Sequence, residues 1–71
     1  GMRQYHVMPT RYGWELRERG GGVSVHTAAT RDEAIRFAQE LVGGRGASVA
    51  IHDRDGRIED ERTFPGGEET A

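Results

Sequence analysis

The hydrophobic pattern of the chain predicts five strands and one helix. Apolar and polar residues alternate weakly over residues 5–8 and clearly over 14–19 and 23–26, as is typical of half-buried strands. Glycines at position 13 and at 20–22 separate these segments, so we expect an antiparallel meander. Two more β-compatible segments, residues 47–52 and about 57–64, follow the predicted helix.

The helix has the clearest sequence signal, and we expect it to span residues 31 to about 43. Thr30 and Glu33 have the spacing of a capping box, in which each side chain accepts a hydrogen bond from a backbone amide at the helix start. An apolar stripe follows at steps of one, three and four residues. The glycines at 43 and 44 predict a left-handed cap at the end.

The last two strands should form a hairpin. Asp55 and Gly56 make an Asp-Gly pair, which favours a type I′ turn. The returning strand carries apolar side chains only at Ile58 and Phe64, so it is expected at the edge of the sheet, where its charges discourage further pairing. Residues 65–71 contain little to bury and are expected to form a disordered tail.

The order β-β-β-α-β-β predicts an α+β fold, a two-layer sandwich with one amphipathic helix on one face of an antiparallel sheet of four or five strands. Residues 2–64 are expected to form one domain. Trp14 is expected to anchor the core. Alternation along the strands places nine side chains toward the helix: Tyr5, Val7, Trp14, Leu16, Val23, Val25, Val49, Ile51 and Ile58.

Composition narrows the class of protein. The chain has 71 residues and no cysteine, which excludes a disulfide framework and thiolate metal sites and fits a reducing compartment. No apolar run approaches the ~18 residues of a membrane span, so we expect a cytoplasmic protein. All ten basic residues are arginine, and they face twelve acidic residues. This balance argues against tight non-specific binding of nucleic acid.

Four segments resemble one known family. They are residues 5–9, 13–17, 30–35 and 50–58, and the last holds the most specific pattern, His-x-Arg-Asp-Gly-Arg-Ile, with Asp53 at the variable position. In this order and spacing, residues 4 to about 64 resemble the small prokaryotic family called domain of unknown function 2188. Arg31 stands where members often carry lysine. The resemblance implies a fold and a bacterial or archaeal origin, but no activity.

The three histidines are the candidate metal ligands. Alternation places His6, His26 and His52 on the sheet face away from the helix, where three imidazoles could converge as in a zinc site with one open position. No short-range spacing holds them together, however, so we favour three half-exposed histidines and expect no bound metal or other cofactor.

Other chemistry has weaker support. The acidic residues around Gly56 do not have the spacing of a calcium loop, and the glycine-rich segments do not precede a helix as a phosphate cradle must. Ser24 and Ser48 lie in predicted strands without a nucleophile motif. We therefore expect no enzyme.

Two classes of function remain. We favour a protein-interaction or self-assembling module, with a homodimer or another protein as partner, because a domain this small has a thin core and exposed strand edges. The alternative is a nucleic-acid-binding module that uses the sheet face. Its phosphate contacts would come from Arg3, Arg17, Arg19 and Arg57, and three acidic residues predicted on the same face would weaken it: Glu15, Glu59 and Glu61.

Overall fold

The computed structural model describes residues 3–21 and 23–66. These residues form strands β1 (Arg3–Pro9), β2 (Trp14–Glu18) and β3 (Ser24–Ala28), helix α1 (Arg31–Val42), and strands β4 (Arg45–His52) and β5 (Ile58–Gly66). The α+β class and the order of the elements are as predicted. No helix in these two ranges is long and apolar enough to cross a membrane.

The sheet is mixed rather than antiparallel, so that part of the predicted fold is wrong. Its strand order is β3-β2-β1-β4-β5, and β4 lies parallel to β1, with Tyr5 opposite Val49. The physical reason is the crossover through α1. Strand β3 runs in the direction of β1, and a helix that returns the chain across the sheet makes the next strand run in that direction again. The other three strand pairs are antiparallel.

Helix α1 begins and ends close to the predicted residues. The Thr30 hydroxyl accepts from the amide of Glu33 at 3.1 Å, and the Glu33 carboxylate accepts from the amide of Ala29 at 3.2 Å. The Thr30 cap therefore satisfies a free amide of the first turn, and Glu33 binds an amide just before the helix. At the other end, Gly44 has the left-handed conformation, with φ of 78°. The helix packs mainly against β1 to β4.

The core lies between α1 and the sheet. Its buried side chains come from alternating positions of β1, β2 and β4 and from one face of the helix; they are Tyr5, Val7, Trp14, Leu16, Ala34, Ala38, Val42, Ala47, Val49 and Ile51. Six of the nine residues predicted to face the helix are among them.

The other three predicted core residues are exposed, and the ladders of both edge strands contain a bulge. Val25 is an extra residue in β3, because Leu16 pairs with His26 whereas Arg17 pairs with Ser24. A second bulge in the β4–β5 ladder places Ile58 opposite His52. Each bulge shifts the alternation by one position. Val23, just before β3, is 78 % exposed, Val25 43 % and Ile58 52 %.

The C-terminal boundary also differs from the prediction. Strand β5 continues through Pro65 to Gly66, which pairs with Arg45, so two residues of the predicted tail belong to the sheet. Residues 67–71, the rest of that predicted tail, lie outside the described residues, as do Met2 of the predicted domain and Gly22 of the predicted turn.

Candidate functional site

The sheet face opposite α1 brings two of the three predicted histidines together. His6 lies in β1 opposite Ala50 of the parallel strand β4, and His52 is two residues farther along β4 on the same face. His6 Nδ1 and His52 Nε2 are 2.9 Å apart. His52 is only 7 % exposed although no helix covers this face among the described residues.

The hydrogen bonds of this histidine pair determine its tautomers. His52 Nδ1 lies 2.9 Å from the carbonyl oxygen of Gly56, and a carbonyl can only accept, so Nδ1 of His52 carries the proton. In neutral His52, Nε2 is then the acceptor, and it accepts from Nδ1 of His6. Nε2 of neutral His6 is left unprotonated. The pair thus forms a directed chain from His6 through His52 to Gly56.

The pair adjoins a cleft of about 450 Å³ on the open face. His6 lines this cleft together with Gln4, Ser48, Arg19 and Glu61. Burial lowers the pKa of His6 below its ordinary value of 6.5, and the neighbouring His52 and Arg19 lower it further, whereas Glu61 raises it. The net result is a lowered pKa, which favours the neutral form of the His6 ring.

His26 does not join the other two histidines, so its predicted place on the sheet face away from the helix is wrong and the three imidazoles do not converge. Its ring stacks on Phe37 of α1, with ring centres 3.9 Å apart, and is therefore on the helix side of the sheet. The extra residue Val25 is the reason, since it shifts His26 to the other face. Within residues 3–21 and 23–66 no three histidine or acidic side chains are grouped to hold a metal.

The turn between β4 and β5 supports the histidine pair. The Asp53 carboxylate accepts from the amides of Asp55 at 2.8 Å and Arg57 at 3.0 Å. The bond from the Arg57 amide has the largest effect and lowers the pKa of Asp53; burial opposes it, and the bond from Asp55 lowers this pKa further. The hairpin joins at Asp55 and Gly56 as predicted, but the turn is not type I′. Only Gly56 has positive φ, 87°, whereas type I′ needs two such residues.

The arginines predicted to contact phosphates do not form one surface. Arg3 lies on the helix side and pairs with Glu18 at 3.0 Å. Arg17 is on the open face, but it pairs with Glu15 at 2.8 Å. Arg19 donates to the side chain of Gln4.

Three acidic residues were predicted on the same face as these arginines, and Glu59 does not lie on that face. It contacts Arg31 at the start of α1, so it is on the helix side of the sheet. Glu61 lines the open-face cleft as predicted. The two candidate serines are also on the open face: Ser24 donates to Glu15, and Ser48 lines the cleft. The separation of the arginines, and the pairing of Arg17, weaken the nucleic-acid alternative.

The two edges of the sheet differ in charge. Strand β3 has no charged side chain, whereas β5 carries four charged residues in succession at 59–62 and a proline at 65. Apolar side chains flank β3 at both ends. Val23 and Val25 lie at its start, and Tyr12, 89 % exposed, lies beside Thr27 and Ala28 at its end. We call residues 23–28 together with Tyr12 the β3 edge.

Both histidines of the pair are among the candidates predicted from the sequence. Their contact with each other, and the hydrogen bond that joins His52 to the β4–β5 turn, were not predicted. The contact requires β1 and β4 to be neighbours, which the predicted antiparallel sheet did not specify. One local signal was present in the sequence. His52 lies four residues before Gly56, across a turn organised by Asp53, so its ring can reach the turn's own carbonyl.

One comparison with known proteins gives a match. The model of a family described as uncharacterized protein conserved in bacteria (DUF2188) matches residues 5–64. No curated protein and no solved structure matches the chain.

Proposed function

We propose that this chain, which belongs to DUF2188, a family of uncharacterized proteins conserved in bacteria, is a protein-interaction module that pairs through the β3 edge. The observation that carries this proposal is the difference between the two edge strands. Charges and proline hinder the addition of a further strand, and β5 has both. Strand β3, Ser24–Ala28, has neither.

The exposed apolar side chains support the same edge. Among the described residues four large hydrophobic side chains are exposed, and Tyr12, Val23 and Val25 belong to the β3 edge. Only Ile58 lies elsewhere, beside the open-face cleft. Complete burial of one such side chain contributes about 1.5–3 kcal/mol, so a partner that covers this edge gains apolar burial in addition to backbone hydrogen bonds.

The partner we propose is a second copy of the chain. Two β3 strands that pair antiparallel across a two-fold axis would join two five-stranded sheets into one, with the same residues on both sides of the interface. Strand β3 has no charged side chain that would repel its own copy. Such a dimer also adds apolar burial, of which a chain of 71 residues has little.

Light scattering over a hundredfold dilution from about 100 μM tests self-association, since a dimer dissociates by mass action. We expect a mass of two chains at the highest concentration. A mass of one chain at every concentration would show that the module does not pair with itself.

Two matched substitutions test whether the dimer forms through β3 rather than β5. Thr27→Lys puts a charge on β3 and Thr63→Lys puts the same charge on β5, and both threonines are exposed. We expect Thr27→Lys to favour the monomer and Thr63→Lys to leave the dimer intact, because only the first charge lies in the proposed interface. The opposite result would assign the contact to β5.

A further inference from the structure

The histidine pair leaves one nitrogen of His6 available for chemistry. Nδ1 donates to His52, and Nε2, on the other side of the ring, holds a lone pair. His6 is half-buried and lines the open-face cleft, so small molecules can reach its ring. We propose that His6 is a nucleophile that accepts a phosphoryl group on Nε2 from a small phosphoramidate donor.

His52 supplies the proton acceptor that this reaction needs. When the Nε2 lone pair attacks the phosphorus of zwitterionic phosphoramidate, whose nitrogen already carries three protons, the P–N bond breaks and neutral ammonia leaves with the bonding electrons. The His6 ring becomes positively charged, and its Nδ1 proton moves across the 2.9 Å contact to His52 Nε2. The cationic His52 then donates both N–H groups, one to Gly56 and one to His6 Nδ1, so the pair stays fully hydrogen-bonded.

The cleft contains groups suited to a bound phosphoryl group. Arg19 carries a positive charge, and Gln4 and Ser48 lie opposite each other on β1 and β4 with an amide and a hydroxyl that can donate. Glu61 is the one acidic side chain that lines the described cleft, and the cation formed on His52 offsets the added negative charge. The lowered pKa of His6 agrees with this role, because only the neutral ring is nucleophilic.

The geometry of the pair favours this reaction over joint metal binding. The two ring centres are 5.2 Å apart, which is the 2.9 Å nitrogen contact plus two ring radii, so both nitrogens lie close to the line between the centres. Each nitrogen therefore points at the other rather than toward a shared third atom. The proposed phosphorylation of His6 does not depend on the β3 edge, since the cleft is built mainly on β1, β4 and β5.

Incubation of the whole chain with potassium phosphoramidate tests the proposal, with intact mass and phosphorus NMR as readouts. We expect one acid-labile phosphoryl group per chain, located on His6. His6→Asn keeps a side-chain donor for His52 but removes the nucleophile, so it should abolish labelling. His26→Asn, on the other face of the sheet, should leave labelling unchanged.

His52→Gln separates proton transfer from positioning. Glutamine can accept the hydrogen bond from His6 but cannot take its proton, so labelling should slow by about a hundredfold. Circular dichroism of each variant establishes that it is folded. Absence of label on the folded wild-type chain would overturn the proposal, as would equal labelling of His6 and His26 or a His52→Gln rate equal to that of wild type.

Discussion

The imidazole of His26 lies parallel to the ring of Phe37, with 3.9 Å between ring centres and 5° between ring planes. This contact fixes His26 on the helix side of the sheet, whereas His6 and His52 meet on the open side. The extra residue Val25 in β3 produces the difference, because it shifts the alternation of side chains by one position. One bulge thus decides which histidines can act together.

Trp14→Ala should lower the free energy of unfolding by about 3–5 kcal/mol, as is usual when a large buried aromatic ring is removed. Trp14 is 6 % exposed, and the guanidinium groups of Arg31 and Arg54 lie near its ring at 5.9 and 6.0 Å. A loss of this size is a large fraction of the total stability of a domain this small. Urea unfolding measures the loss, and Gln39→Ala, at an exposed position of α1, should change stability by less than about 0.5 kcal/mol. Equal melting temperatures for the wild type and Trp14→Ala would contradict burial of the ring.

Gly56→Ala should destabilise the β4–β5 hairpin by about 1–3 kcal/mol through backbone strain. Gly56 has φ of 87°, and nothing lies within 4 Å of an added Cβ, so a steric clash adds nothing to the loss. Asparagine tolerates this conformation better than alanine, and Gly56→Asn should therefore be less destabilising. Thermal melts of the two variants provide the comparison. If both lose the same stability, the positive φ is not the cause.

Stability should fall as the pH is lowered below about 6.5, because the pKa of His6 is lower in the folded chain than its ordinary value of 6.5. Between these two pKa values the unfolded chain binds more protons, so acid favours unfolding. The stability that depends on a neutral His6 is fully present above pH 6.5, and it is lost as the pH falls toward the pKa of His6 in the folded chain.

Urea unfolding at several pH values measures this dependence, and His6→Asn should reduce its slope because asparagine does not titrate. The lowered pKa of Asp53 acts in a separate range, below its ordinary value of 3.8. A slope that is unchanged in His6→Asn would assign the effect to another group.

Zinc added to chelator-treated protein should leave the melting temperature unchanged, because a ligand raises it only by binding the native state. Nδ1 of His6 and Nε2 of His52 point at each other, and His26 is on the opposite face of the sheet. Differential scanning fluorimetry with and without zinc is the measurement. A rise that disappears in His52→Ala would show that the pair opens to bind metal.

Local features of the sequence determined the elements of this fold. The Thr30 and Glu33 caps and the apolar stripe located α1, alternation located the strands, and Asp55 with Gly56 located the last turn. Each of these signals acts between residues a few positions apart, so the sequence alone contains the physical cause.

Only the tertiary structure decided which strands are neighbours and which side chains share a face. The sequence did not show that the crossover through α1 places β4 parallel to β1, and that pairing is what brings His6 to His52, 46 residues away. Nor did it show the extra residue in β3, which separates His26 from them. Both depend on packing and hydrogen bonding between distant strands, and in a sheet a shift of one residue reverses the face that every later side chain occupies.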